Sequence, residues 1–151
     1  MSDIESIESN ETAGGQKLPV AAAILALVGL ADSVYLTVHH YTAEPVPCSL
    51  IEGCETVLTS AYAEVGGIPL AAFGALAYFA AFSLAILTAF GNRAMWTFFG
   101  VQVVIMAAVT CWLVYLQAYV IGAFCQFCLL SAATTLGLLI VFLISKFTAR
   151  A

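Results

Sequence analysis

Residues 124–147 read FCQFCLLSAATTLGLLIVFLISKF, a stretch that carries no charge until Lys146. A helix rises about 1.5 Å per residue and needs roughly 20 apolar residues to cross a hydrocarbon core, so this stretch is long enough to span a bilayer. Working outward, three further stretches meet the same test, near 18–40, 68–90 and 94–120. Of the 151 residues, 63% are hydrophobic and only 9% charged, a balance outside that of soluble domains. The expected fold is an all-α integral membrane bundle of four transmembrane helices. An outer loop with a short surface helix joins helices one and two.

The few charges report topology. Lys17 precedes the first span, Arg93 lies in the Gly91-Asn92-Arg93 turn between spans two and three, and Lys146 and Arg150 close the fourth. The loop after span one holds Glu44, Glu52, Glu55 and Glu64 and no Lys or Arg. The positive-inside rule then places both termini in the cytoplasm, with residues 1–17 and 148–151 as tails. The first is polar and acidic, is expected to be disordered, and lacks the basic start of a cleaved signal peptide. The host bilayer is expected to be a cell (inner) membrane, or the endoplasmic reticulum in a eukaryote.

Within the spans, Pro19 suits the first turn of a helix. Asp32 interrupts span one, and a carboxyl group at that depth faces the bundle interior. It reads either as a proton relay or quinone-site group or, more blandly, as a protonated acid bonded to Ser33 or a facing carbonyl. Spans two and three are rich in Ala and Gly, which let helices approach closely in lipid. Trp96, Tyr41, Tyr62 and Tyr119 fit interfacial belts. In the outer loop, Pro45 and Pro47 discourage helix before Cys48. After Gly53, Val57, Leu58, Ala61 and Val65 fall on one helical face, and Gly66-Gly67-Ile68-Pro69 forms a turn into span two.

Chemistry concentrates in four of the five cysteines. Cys125 and Cys128, with two residues between them at the head of span four, are within bonding reach on one helical turn, where unpaired backbone N–H groups favour a thiolate. Cys48 and Cys54 lie in the loop on the same side of the membrane, the outer side, where disulfides persist. Taken alone, the loop pair reads as a staple and the helix pair as buried thiols or part of a metal site. A zinc site is disfavoured by the five residues between Cys48 and Cys54. Two pairs on one face can exchange a disulfide through a mixed disulfide, so the joint pattern reads as a redox relay. Cys111, inside span three, reads as a small packing residue.

The ordered series Cys48, Cys54, Thr59-Ser60, Gly67-Ile68-Pro69 and Cys125-Gln126-Phe127-Cys128 resembles the vitamin K epoxide reductase family, in its bacterial and archaeal branch. The likeness spans roughly residues 18 to 147. It implies a four-helix bundle around a quinone of the ubiquinone, menaquinone or vitamin K type, and a quinone-dependent thiol-disulfide oxidoreductase that supports disulfide bond formation. It further implies Cys125 and Cys128 as the active-site pair, Cys48 and Cys54 as the shuttle pair, and Ser60 beside the quinone or the shuttle cysteines. Electrons would come from a thioredoxin-like protein, expected to be a separate chain because the sequence ends at Ala151. Two departures bear on the reaction. Ala132 stands where animal members have a tyrosine, so the resemblance does not carry epoxide reduction or animal-type inhibitor binding over to this chain, while quinone reduction remains implied. Ser60-Ala61-Tyr62 replaces Ser-Arg-Trp.

Other readings make different demands. A second four-span oxidase family places its Cys-x-x-Cys pair before its widely spaced pair, the reverse of this chain. A non-enzymatic four-span scaffold with a structural loop disulfide would leave Cys125 and Cys128 dispensable. A transporter built on Asp32 would need a second intramembrane ion.

Overall fold

A computed structural model describes residues 2–44, 47 and 53–150; Cys48 and Glu52 lie outside them. Four helices are long and apolar enough to cross a membrane: Lys17–Thr42, Leu70–Ala89, Ala94–Ile121 and Gln126–Thr148. The chain is thus a multi-pass membrane protein of the all-α, four-span class. The first span is the C-terminal part of α1 (Ser2–Thr42), and the second is α3 (Leu70–Ala89). The third is α4 (Ala94–Tyr115) with a wider π-turn segment over Leu116–Ile121, and the fourth lies in α5 (Gln126–Arg150). Helix α1 packs on α3 and α5, and α4 packs on the other sides of both, so the four close into a ring.

Helix α1 starts at Ser2, so residues 2–17 have helical backbone where the sequence reads as a disordered tail. Glu5, Glu8, Glu11, Ala13, Gln16 and Lys17 all belong to the residue types that favour helix. Pro19 consequently falls inside the helix and not in its first turn, where its missing N–H costs a backbone hydrogen bond.

Small residues set the packing. Ala22, Ala23 and Ala26 of α1 and Ala81 and Ala85 of α3 are buried together with Tyr78, Phe99, Val103 and Leu138. Large apolar side chains such as Ile24, Leu76, Phe98 and Leu136 point outward, the arrangement expected where lipid is the solvent. The ring of Tyr78 lies against Gly29, where any side chain would collide with it. Its hydroxyl sits 2.8 Å from the Ser131 carbonyl, from Ser131 Oγ and from Thr135 Oγ1. Tyr78 therefore ties α3 to α1 and α5 at mid-depth.

Trp96 is buried and stacks on Phe99 with ring centroids 4.6 Å apart, while its indole N–H donates to Ser145 Oγ at 2.9 Å. The interfacial role expected for it gives way because Ser145 satisfies the one polar atom of the ring inside the bundle. Cys111, expected to be packed, is exposed on α4.

The outer loop is more irregular than the periodicity predicts. Helix α2 (Cys54–Leu58) stops after five residues, Ser60 is extended, and a single 3-10 turn covers Ala61–Ala63. Strands β1 (Glu64–Val65) and β2 (Ile68–Pro69) then pair antiparallel, with Val65 opposite Ile68. Gly66 and Gly67, at φ 62° and 83°, make the two-residue turn between them, a conformation that glycine adopts without strain. This hairpin redirects Val65, so it leaves the face it would share with Val57 in a longer helix.

Candidate functional site

Cys125 immediately precedes α5 and acts as its N-cap. Its carbonyl accepts the first helical bond, from Leu129 N at 2.9 Å, and the backbone N–H groups of Phe127 and Cys128 point at its sulfur. Its own N–H donates to Gln117 Oε1 at 3.1 Å. Gln117 is itself buried, in the π-turn segment, and its carbonyl accepts from Ala123 N at 3.1 Å. The left-handed Gly122, at φ 73°, ends that segment and turns the chain back toward α5. Sequence reading overlooked Gln117; the only signal available was an amide among apolar residues eight positions before the cysteine.

The two thiols of the helix pair are free and hydrogen-bonded to each other. The Cys128 thiol is the largest influence lowering Cys125, to about 7 from an ordinary 9.0; the two backbone N–H groups add to it, against burial. An N-cap sulfur with three donors is the place where the negative charge of a mono-deprotonated pair settles.

The two thiols differ in what else they face. Cys125 is fully buried in a cluster with Cys54 and Val57, against which Leu58, Ile121, Phe127 and Cys128 pack. Cys54, the first residue of α2, is 1% exposed and disulfide-bonded. Gly53 makes this approach tight: a side chain there would meet the Phe124 carbonyl and amide directly. Phe127 reaches the other way, its ring 5.3 Å from that of Tyr35 on α1. Cys48 lies outside the described residues.

Cys128 also opens into a cavity of about 870 Å³ lined by α1, α2, the loop that follows it, α3, the C-terminal half of α4 and α5. Most of the lining surface is apolar; Asp32, Ser33, Gln117 and Ser131 are polar points on it, and His39, His40, Glu44, Glu55 and Glu64 add charged or titratable groups. Ser60 is half-buried on this wall, and its hydroxyl donates to the Val57 carbonyl at 2.7 Å, a local bond within the α2 turn. Ala132 also faces the cavity and leaves room there. At its outer rim His40 Nε2 lies 2.9 Å from Glu64 Oε1, pinning α1 to β1.

Asp32 is 7% exposed, and neither carboxyl oxygen has a hydrogen-bond partner among the described residues. The bond to Ser33 weighed from the sequence is therefore not made. A concave, mostly apolar space of this size with a few convergent polar groups suits a small planar molecule with polar edges.

Residues 20–143 of the chain match the family model described as the vitamin K epoxide reductase family.

Proposed function

The chain belongs to the vitamin K epoxide reductase family, whose members are membrane oxidoreductases of disulfides and quinones, and from that membership we propose a specific relay. The protein is a quinone-dependent thiol oxidase that takes electrons from a separate thioredoxin-like protein and supports disulfide formation at the outer face of a cell membrane, with its termini cytoplasmic. The observation that carries this reading is the division of one dithiol between two surroundings: Cys125 beside Cys54, Cys128 facing the cavity.

In this relay a partner thiolate attacks Cys48 of a Cys48–Cys54 disulfide, and the partner's second thiol completes its own disulfide, leaving Cys48 and Cys54 reduced. The Cys54 thiolate then attacks Cys125 of an oxidised Cys125–Cys128 pair and expels Cys128 as thiolate. Cys48 displaces Cys125 from Cys54, which restores the shuttle disulfide and leaves the helix dithiol with two electrons. A quinone in the cavity, when bound, accepts those two electrons and two protons as the Cys125–Cys128 bond forms. The Asp32 carboxyl, without a hydrogen-bond partner among the described residues, and the nearby Ser131 hydroxyl fit a ligand with carbonyl oxygens, such as a quinone, better than a wholly apolar one.

The test is a thiol count by alkylation and mass on the fully reduced, detergent-solubilised protein, before and after ubiquinone or menaquinone. Loss of thiols that Cys128→Ser abolishes is the expected result. A thiol count unmoved by either quinone, in protein that remains folded, removes the terminal acceptor and the proposal with it.

A further inference from the structure

Asp32 enters the relay above only as a polar point of the cavity wall, and its proton has no part in it. The residue is more than nine-tenths buried, both its oxygens lack a hydrogen-bond partner among the described residues, and it lines the same cavity as Cys128. It also borders a shallow apolar groove formed by Val28, Ala31, Tyr35, Phe127 and Leu130, so it stands in the wall between the cavity and the α1–α5 surface.

The four basic residues stand at the start of span one, between spans two and three, and at the end of span four, at the opposite ends of these helices from the two cysteine pairs. A carboxyl group in apolar surroundings with neither countercharge nor hydrogen bond is held there as the neutral acid. The titratable groups within electrostatic reach of it are Cys125 and Cys128 from the α5 end and Tyr78 from α3. Tyr35 lies near it on α1, and His39, His40, Glu44, Glu55 and Glu64 line the outer part of the cavity. The thiols are the groups that change charge during turnover, and an anionic thiolate keeps a neighbouring carboxyl protonated.

We propose that Asp32 is the proton donor to the quinone: its carboxylic acid hydrogen-bonds one quinone oxygen and delivers a proton to it as electrons leave the Cys125–Cys128 dithiol. The proposal rests on the quinone-reducing reading above. Oxidation of the mono-deprotonated Cys125–Cys128 pair releases two electrons and one proton, and quinol formation consumes two of each. Asp32 supplies its proton to one quinone oxygen and the remaining thiol proton goes to the other; water at the mouth of the cavity then returns a proton to Asp32.

The experiment combines infrared difference spectroscopy with single-turnover oxidation of the reduced protein, using a short-chain ubiquinone on wild type, Asp32→Asn and Asp32→Glu. The expected result in wild type is a protonated-carboxyl band that shifts to lower frequency when the quinone binds. That band should be absent in Asp32→Asn, while quinone still binds and single-turnover oxidation falls about 10²–10⁴-fold, the range of a lost general acid. Asp32→Glu should restore part of the rate. If wild type oxidises its thiols but shows no carboxyl band that responds to quinone, or if Asp32→Asn turns over at the wild-type rate, Asp32 is not the donor and the relay stands without it. If wild type neither binds the quinone nor loses thiols to it, the relay and this assignment fall together. The wild-type infrared measurement decides the matter even should a substituted chain fail to fold.

Discussion

Gly53 packs against the backbone of Phe124, each one residue ahead of a cysteine, so that the start of α2 and the start of α5 meet with no side chain between them. The contact brings Cys54 and Cys125 into one buried cluster.

Gly53→Ala should therefore pry the two cysteine pairs apart. The Cβ would run into the Phe124 carbonyl, and backbone cannot swing aside as a flexible side chain does. Electron transfer from a partner dithiol to quinone should slow at least about tenfold, the effect of 1.4 kcal/mol on one step. Direct oxidation of the Cys125–Cys128 dithiol by quinone should be unchanged. Comparing steady-state turnover with single-turnover oxidation separates the two; equal losses in both would mean that Gly53 serves the fold and not the exchange.

The Cys125 thiol should ionise with a midpoint near pH 7, followed by thiolate ultraviolet absorbance against a Cys125→Ser control. Its principal cause is the Cys128 thiol, so Cys128→Ala should move the midpoint upward, while Cys128→Ser, which keeps a donor, should move it less. The sign for stability follows: between pH 7 and the ordinary 9.0 the unfolded chain holds a proton that the folded chain has lost, so the reduced protein gains stability as pH rises through that window. A midpoint that stays near 9 in wild type would show that the N-cap donors do not reach the sulfur.

Gln117→Leu should leave the buried Cys125 N–H without its acceptor, a cost of about 1–3 kcal/mol. Because that bond also orients the cap, dithiol oxidation should slow and the Cys125 midpoint should shift. Gln117→Glu, which keeps an acceptor oxygen, should retain more of the stability. Denaturation in mixed micelles alongside the thiol titration would check both.

Tyr78→Phe should cost about 1 kcal/mol, near the upper part of the range for interhelical hydrogen bonds in membranes, since the Ser131 and Thr135 hydroxyls lose a shared partner. Gly29→Ala should cost more, about 1–3 kcal/mol, because the new Cβ would run into the buried Tyr78 ring, whose hydroxyl is tied to Ser131 and Thr135. Unfolding by detergent titration ranks the two; the reverse order would mean that the ring yields more readily than the hydroxyl network.

Much of this protein was legible in its sequence. Four stretches of apolar residues and their length suffice for four spans, because a bilayer demands little more than about 20 apolar residues per crossing. The spacing of Cys125 and Cys128 also carries meaning unaided, since both lie within one turn of a single helix. The outer loop was less readable: the helical pattern over Val57 to Val65 ran through a hairpin that Gly66 and Gly67 impose by their positive φ.

The sequence by itself determined the class, the number of spans and the cysteine spacing. Only the tertiary structure decided which way each helix turns: that Cys125 looks toward Cys54, that Cys128 and Asp32 share a cavity, that Gln117 caps the Cys125 amide, and that Trp96 lies inside the bundle. The physical reason is the solvent. A helix in water shows a polar stripe that fixes its rotation, but in lipid the outward faces are as apolar as the inward ones, so rotation is set by where small residues let a neighbour approach. Those contacts, Gly29 under Tyr78 and Gly53 on Phe124, join residues far apart in the chain and exist only once the four helices have packed.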